Sequence, residues 1–291
     1  MANGITIDEA KCTGCMLCMQ ICTLGNFGEG SDGSVHATDS GYSCFGCGHC
    51  VAICPTGAIS HAELDSSKFE KLDESARLPF DRLLAFLKLR RSRREFKYDP
   101  VPREEIDKLF LAAVQAPSAT NNQSVLFTAV TDREVIKKIS DECVKFSKKM
   151  AFAMRNPIMK TFFKLTARAQ YDDLLQFLPL IDCMVDLHAK GVDMVTYDAP
   201  CLILLHAPKY DSCAALDAVY NAENILLAVE TLGLGACEIG FVTEPANRGP
   251  QIKDLARIPR NHKVFSSIVV GCPKFKYSRT VPKNPPTVNY I

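Results

Sequence analysis

From residue 104 onward, the chain alternates between two patterns of apolar positions. Ile106, Leu109 and Phe110 recur at helical spacing and predict a helix over residues 104–116, whereas the apolar run at 125–130 predicts a strand. The same reasoning predicts helices over 134–150 and 214–232, a long helical region over about 142–190, and strands at 201–206, 236–240 and 265–271. These patterns predict an α+β or α/β domain with four or five strands.

The first third of the chain lacks this periodicity. Residues 62–88 are polar and then weakly helical, and Pro79 interrupts them, so we interpret 63–88 as a linker between a domain at 1–62 and a body at 89–291. No strand leads into Gly-x-Gly-x-x-Gly, which argues against the commonest dinucleotide-binding fold. The 291 residues contain no apolar run of about 18 residues and no export leader. We therefore expect a cytoplasmic protein with no membrane partner.

Cysteine content and charge support this division. Fourteen cysteines without an export signal indicate metal ligands in a reducing compartment rather than disulfides. Residues 1–65 carry one lysine against seven Asp or Glu, a net charge of −6, and since the whole chain is +1, the remainder is +7. An acidic head on a basic body indicates two electrostatically distinct units, an asymmetry that is typical of partner binding or docking. We expect no nucleic-acid partner.

Eight cysteines repeat one spacing, Cys-x2-Cys-x2-Cys-x3-Cys. The two motifs are Cys12, Cys15, Cys18 and Cys22, and Cys44, Cys47, Cys50 and Cys54. Zinc sites use ligands in two pairs and would leave the third close-spaced cysteine of each motif unexplained, so we favour iron–sulfur clusters. Residues 5–60 resemble the bacterial two-cluster ferredoxins, in which the fourth cysteine ligates the other cluster. The resemblance implies two [4Fe-4S] clusters, one on Cys12, Cys15, Cys18 and Cys54, the other on Cys22, Cys44, Cys47 and Cys50.

Two features depart from the ferredoxin pattern. Thr23 follows Cys22 where proline is usual, and a Gly/Ser/Asp-rich insertion at 23–43 separates the motifs. Both departures leave the eight cysteine ligands in place. His49, inside the second motif, is a candidate to tune that cluster by a hydrogen bond, although an exposed loop position is the simpler interpretation.

Three patches of the body carry candidate chemistry: the arginine-rich segment 90–96, the segment 116–123 after the first helix, and the segment 233–240 after the long helix. In this order and spacing they resemble the nitroreductase family of FMN-dependent oxidoreductases over residues 89–280. The resemblance implies a ferredoxin-like domain followed by an α/β domain with a mixed sheet flanked by helices. The FMN-binding residues that it implies are Arg90, Arg91, Ser92, Arg94, Pro117, Ser118, Asn121, Gln123, Ile239, Gly240 and Arg279.

Each of these residues has a chemical role by that resemblance. The arginines and Ser92 would bind the FMN phosphate, because planar guanidinium groups offer several donors to a phosphate. Asn121 and Gln123 would pair with the flavin ring, and the segment 238–240 would present backbone N–H groups near flavin N5. The resemblance also implies a homodimer, with Pro117 and Ser118 reaching the partner's FMN and the tail from residue 281 wrapping the partner.

The combined reading is an oxidoreductase in which single electrons enter the clusters, pass to FMN and reduce an electron-poor acceptor such as a nitroaromatic, a quinone or an activated alkene. We expect ferredoxin as the electron donor. The alternatives are an NAD(P)H-driven reductase, a redox sensor or electron carrier without a dedicated substrate, and a reductive dehalogenase. No catalytic side chain is predicted.

Two further features remain to be placed. Residues 145–171 contain seven Lys or Arg and no Asp or Glu. We interpret them as a solvated helix pair. The alternatives are a surface that receives an acidic redox module and, less favoured, a surface that binds a membrane or nucleic acid. The six cysteines outside the motifs, which are Cys143, Cys183, Cys201, Cys213, Cys237 and Cys272, lack ligand spacing, so we expect them in the core.

Overall fold

The computed structural model describes residues 2–158, 161, 171–172 and 175–291. Backbone contacts divide the chain into two compact units. The first unit comprises Met1–Leu78 and Ser118–Asn122, and the second comprises Pro79–Pro117 and Gln123–Ile291. No helix among the described residues is both long and apolar enough to cross a membrane.

The first unit contains two short antiparallel sheets and two short helices. Its elements are β1 (Ile5–Ile7), α1 (Leu17–Ile21), β2 (Phe27–Glu29), β3 (Val35–Ala37), α2 (His49–Ile53) and β4 (Ile59–His61). β1 pairs with β4, and β2 pairs with β3. The insertion therefore contains a hairpin, which the Gly/Ser/Asp-rich composition hid. Its turn is fixed by Asp32, whose carboxylate accepts bonds from the backbone N–H and the hydroxyl of Ser34.

The second unit is built on one four-stranded sheet with the order β5-β6-β8-β7. The strands are β5 (Leu126–Val130), β6 (Cys201–Pro208), β7 (Gly235–Glu238) and β8 (His262–Gly271), each antiparallel to its neighbours. A parallel bridge between Ser92 and Ala236 extends the sheet beyond β7. The four strands match the predicted segments, and parallel pairing in the described residues is confined to that bridge.

The second unit begins with α3 (Phe80–Leu87), which has no buried residue. Further helices cover both faces of the sheet, and they are α4 (Arg103–Ala113), α5 (Arg133–Arg155), α6 (Leu178–Ala189), α7 (Ala214–Thr231), α8 (Gly240–Arg248) and α9 (Gln251–Leu255). Successive side chains of β6 enter opposite layers: Leu202 and Leu204 pack in the layer of α5, whereas Cys201 and Ile203 pack in the layer of α4 and α7. Burial on both faces explains why β6 reads as a continuous apolar run.

Most predicted element positions agree with the structure. The helix predicted at 134–150 continues to Arg155, and the second half of the helical region predicted at 142–190 contains α6. Part of that region lies outside the described residues, and with it lie Lys160, Lys164 and Arg168 of the basic stretch.

The prediction for the six remaining cysteines was partly wrong. Cys143, Cys201 and Cys237 are buried as expected, and Cys272 is half-buried, but Cys183 and Cys213 are exposed. Cys183 lies on α6, and Cys213 immediately precedes α7. The absence of ligand spacing excluded a metal role for these cysteines but carried no information about which of them face the core.

A buried histidine pair joins the edge strand to the centre of the sheet. His206 Nδ1 lies 2.9 Å from His262 Nδ1, and His206 Nε2 lies 3.0 Å from the Thr128 hydroxyl. Burial, together with His262 and Lys253, lowers the pKa of His206 from 6.5 to about 4. The His206 ring is therefore neutral in the folded protein at neutral pH, and its protonation destabilises the fold.

We expect the stability of this sheet to fall as the pH drops from about 6.5 to about 4, because the unfolded chain binds a proton that folded His206 excludes. The full effect is about 3 kcal/mol. Hydrogen exchange of β6 and β8 amides, corrected for intrinsic exchange rates, would measure it in the full chain. His206→Gln keeps a polar side chain near Thr128 and should flatten the pH dependence; equal slopes in both proteins would contradict the assignment.

Candidate functional site

The first cysteine cavity mixes ligands from the two motifs. Cys12, Cys15 and Cys18 line it together with Cys54, which comes from the second motif. Cys18 lies in α1, whereas Cys54 caps the C-terminus of α2 with extended backbone. The short helix therefore turns the fourth cysteine of its own motif away from the first three.

The second cavity has the reciprocal composition. Cys44, Cys47 and Cys50 line it together with Cys22, the residue that caps the C-terminus of α1. α1 and α2 pack against each other, and both follow a residue in the left-handed region, Met16 before α1 and Gly48 before α2. This twofold-like arrangement brings together the two quartets that the ferredoxin resemblance implies.

The donor set of each cavity suits a cluster rather than a single ion. Nowhere in the described residues do three His, Cys, Asp or Glu side chains converge on one point closely enough to hold a mononuclear metal. The four thiols instead ring a cavity. Backbone N–H groups already point at two sulfurs: Gly46 N donates to Cys44 Sγ at 3.4 Å, and Ala58 N donates to Cys54 Sγ at 3.3 Å. Burial raises the pKa of Cys50 to about 11, so binding of a metal there displaces a proton.

The arginine-rich segment lies along the edge of β7. Ser92 bridges Ala236, and Arg93 N donates to Ala236 O at 2.9 Å. Gly235 permits this approach, because a Cβ at that position would come within 2.7 Å of Arg93 Cγ. The structure thus brings the predicted phosphate-binding segment beside the strand that leads to Gly240.

The guanidinium groups of this segment point in different directions. Arg90 Nε lies 3.7 Å from a carboxylate oxygen of Glu223 on α7, and Arg91 is half-buried. Arg94 is exposed, and its guanidinium carbon lies 5.9 Å from the centre of the Tyr197 ring. Ser92 is also exposed, so the segment offers donors to an incoming anion.

Sequence reasoning missed Arg93, which anchors the C-terminal segment. Its guanidinium stacks on Tyr277 at 4.0 Å, and its Nη1 donates to the Phe275 carbonyl at 3.2 Å. Arg279, the predicted C-terminal phosphate ligand, is exposed and follows Tyr277 by two residues. Arg93 therefore holds the part of the tail next to Arg279 against the arginine-rich segment. The sequence signal that could have identified Arg93 is its position between Ser92 and Arg94, two predicted phosphate ligands.

The segment after β7 needs one correction. Ile239 was expected to direct its N–H toward flavin N5, but that N–H donates to Ser267 O at 2.7 Å and is part of the sheet. Gly240 begins α8, and the first N–H groups of a helix have no intrahelical acceptor. A Cβ built at Gly240 would meet no atom within 4 Å, so this face is open. Gly240, rather than Ile239, therefore has an N–H without an intrahelical acceptor.

The segment 117–123 is divided between the units. Ser118–Asn122 cluster with the first unit, and there Asn121 Nδ2 donates to the Gly46 carbonyl at 2.9 Å. Pro117 and Gln123 belong to the second unit, and both are exposed. Thr120, Asn121 and Gln123 have φ values of 51°, 56° and 48°, which residues other than glycine rarely adopt. Strain of this kind clusters at ligand sites.

An apolar cavity of about 360 Å³ opens beside Gly240. It lies within the size range of small-molecule sites. Its lining comes from α5, α6 and α8 with Phe177: Phe146, Ser147, Met150, Phe177, Ile181, Gly240, Phe241, Glu244 and Pro245. Its charged lining residue among the described side chains is Glu244, which accepts a bond from Arg248 at 2.6 Å. This cavity can hold a small apolar molecule beside Gly240.

Two family descriptions match the chain. The nitroreductase family matches residues 87–272, and a 4Fe-4S dicluster domain matches residues 11–59. The chain belongs to the nitroreductase family. It is an oxidoreductase of that family with an N-terminal 4Fe-4S dicluster domain, as the sequence motifs predicted.

Individual relatives agree with this assignment. A protein of Archaeoglobus fulgidus, provisionally named NADH dehydrogenase/NAD(P)H nitroreductase, is 30% identical over 191 residues, which cover 66% of this chain and 85% of that protein. Iodotyrosine deiodinase of Danio rerio is 26% identical over 221 residues, which cover 74% of this chain and 66% of that protein. This chain thus spans slightly less than two thirds of the deiodinase.

One solved structure has the same fold as the second unit. The nitroreductase of Bacteroides fragilis NCTC 9343, with bound FMN, aligns with a TM-score of 0.50 and 20% identity, covering 72% of this chain and 98% of that chain. At this identity the likeness shows the fold alone.

Proposed function

We propose that this protein carries electrons through two [4Fe-4S] clusters to FMN and from there to an electron-poor organic acceptor. The observation that carries the proposal is the pair of mixed cysteine quartets, each around its own cavity, in a chain whose body belongs to the nitroreductase family. Clusters move one electron at a time, whereas a flavin holds one or two, so bound FMN would convert single electrons into two-electron chemistry.

The chain's own residues bind and orient the flavin. Arg90, Arg91, Ser92 and Arg94 bind the phosphate together with Arg279, because their donors are exposed or half-buried beside β7 and the anchored tail. Asn121 and Gln123 hydrogen-bond the ring system. Gly240, the first residue of α8, would offer its N–H to the flavin ring, and the apolar cavity beside it would exclude water from the acceptor.

The acceptor follows from the lining of that cavity. Phe146, Phe177 and Phe241 offer aromatic faces, and the ion pair of Glu244 with Arg248 leaves little net charge at the cavity. We propose a planar, neutral acceptor such as a nitroaromatic, a quinone or an activated alkene. An aryl halide is a second candidate, favoured by the similarity to the deiodinase of Danio rerio.

We propose that the active form is a homodimer. α3 has no buried residue, and four of its five large apolar side chains, Phe80, Leu83, Leu84 and Leu87, are exposed. Leu111 and Val114 in and after α4, and Leu216 and Val219 on α7, are exposed as well. Large apolar faces of this kind mark association surfaces. A second copy covering them would place its own Pro117 and Ser118 near the FMN.

We propose ferredoxin as the electron donor, received on a basic surface that includes Lys148 and Lys149. Both lysines are exposed on α5, the helix that also lines the acceptor cavity. NAD(P)H is the alternative donor, favoured by the name of the Archaeoglobus fulgidus relative.

The test is anaerobic purification with iron, sulfide and FMN analysis, followed by addition of reduced ferredoxin or NADPH while the flavin absorbance is recorded. We expect about eight irons and one FMN per chain, with bleaching by ferredoxin. Turnover with a neutral nitroaromatic should follow. Zinc in place of iron, or the absence of flavin, would overturn the proposal. Bleaching by NADPH alone would retain the enzyme and reverse the choice of donor.

A further inference from the structure

Asn26 is fully buried, with 0% of its surface exposed, and it lines the cavity of Cys22, Cys44, Cys47 and Cys50. Its Oδ1 accepts two bonds, from Asn3 Nδ2 at 2.9 Å and from the Ser40 hydroxyl at 2.9 Å. These bonds fix the amide so that the two N–H donors of Nδ2 face away from them. Nδ2 is buried and has no partner among the described residues. An unpaired buried amide N–H is costly, so it calls for an acceptor.

His61 is a second buried side chain with an unpaired nitrogen at this cavity lining. It is 6% exposed and lines the same cavity. Its Nδ1 accepts a bond from Glu63 N at 3.2 Å, which leaves Nε2 as the donor nitrogen of the ring. Nε2 is buried and, within the part of the chain that the structure describes, has no partner. Two side chains that line one cavity thus each have a buried donor without a partner among the described residues.

Among the residues that the structure describes, the lining of the other quartet includes no buried side-chain N–H or O–H donor. The polar side chains lining the cavity of Cys12, Cys15, Cys18 and Cys54 are Thr13 and Thr56, and both residues are exposed to solvent. Thr56 Oγ1 lies 3.7 Å from Cys54 Sγ, at the rim. The two cavities therefore differ in their buried side-chain donors, although their cysteine spacing is identical.

We propose that Asn26 and His61 donate hydrogen bonds to sulfurs of the cluster held by Cys22, Cys44, Cys47 and Cys50, and that this cluster has the higher reduction potential of the two. Uptake of one electron adds one negative charge, and N–H donors aimed at sulfur stabilise the reduced form. An electron that enters the dicluster domain therefore comes to rest on this cluster. The inference rests on the cluster occupancy proposed above. The hairpin insertion supplies Asn26 and thereby makes a symmetric ferredoxin pattern asymmetric.

The experiment is a potentiometric titration of the anaerobically purified full chain, followed by electron paramagnetic resonance. Asn26→Leu and His61→Phe each remove the N–H donors and keep similar bulk. Each should lower one of the two midpoints by about a tenfold change in the reduction equilibrium constant, which is 59 mV for one electron, and leave the other unmoved. The same shift should persist in a Cys15→Ser background, which retains only the second cluster.

Matched controls separate this effect from damage to the fold. His49 lines the same cavity but is exposed, and Ser40→Ala removes one bond to Asn26 Oδ1 without removing its donors. His49→Phe and Ser40→Ala should leave both midpoints in place. If the variants lose iron, pulsed resonance on the reduced His49→Phe protein labelled with ¹⁵N-histidine gives an independent reading, because a nitrogen coupling is expected on the first cluster to be reduced.

The outcomes separate this inference from the proposed function. Wild-type protein without iron and sulfide would overturn the cluster proposal and this inference with it. Two normal clusters whose midpoints do not move in either variant, or a shift of the other cluster, would overturn this inference alone. Absence of the ¹⁵N coupling would overturn the assignment of His61.

Discussion

Replacing Cys54 with serine is expected to abolish the cluster in the cavity of Cys12, Cys15 and Cys18, although Cys54 lies in the other motif. The chain should retain about half of its iron, because the remaining cluster keeps all four thiolates. Cys54 lines the first cavity and caps α2 with its backbone extended, which directs it away from Cys50. Iron and sulfide analysis of anaerobically purified protein measures the effect.

Double variants show which cluster is lost. Cys15→Ser combined with Cys54→Ser should retain as much iron as either single variant, because both cysteines serve one cluster. Cys47→Ser combined with Cys54→Ser should retain almost none. The opposite pattern would mean that each motif holds its own cluster. Cys213→Ser, at an exposed cysteine outside both motifs, is the control and should keep the full iron content.

The elements of the second unit were predictable because their burial is regular. β6 is buried on both faces and α4 on one, so a continuous run and a helical period were enough to find them. The hairpin of β2 and β3 was missed, since each strand has three residues and few apolar positions. Strands of that length derive their stability from contacts that local pattern does not contain.

The residues of the candidate site also fall into those that the sequence predicts and those that it does not. The cysteine quartets could be predicted from spacing and resemblance, because a cluster requires specific ligands at specific intervals. Asn26 and His61 could not be predicted, since their proposed role depends on burial and on hydrogen bonding. One polar atom of each side chain accepts a bond, and the other is buried without a partner among the described residues. Arg93 was passed over because its role depends on Tyr277, far away in the sequence. Long-range contacts decided each of these cases.

Arg94→Ala is expected to weaken FMN binding by about tenfold to a hundredfold. A hydrogen bond from a guanidinium to a phosphate contributes about 1.5–3 kcal/mol, and each 1.4 kcal/mol is a factor of ten in affinity. Arg94 is suited to this role because it is exposed to solvent beside Tyr197, whose ring centre lies 5.9 Å from its guanidinium carbon. The measurement is quenching of FMN fluorescence by flavin-depleted full chain at several salt concentrations.

Three variants make the result specific to the phosphate. Arg103 lies at the start of α4, is also exposed and has an acidic neighbour in Asp107, so Arg103→Ala matches the change in charge at a different place. It should leave FMN affinity unchanged. Arg94→Lys keeps the charge but not the planar fork and should recover part of the loss. Riboflavin, which has no phosphate, should bind equally to the wild type and to Arg94→Ala. Equal loss of FMN affinity in Arg94→Ala and Arg103→Ala would show that general charge, and not a phosphate contact, accounts for the effect.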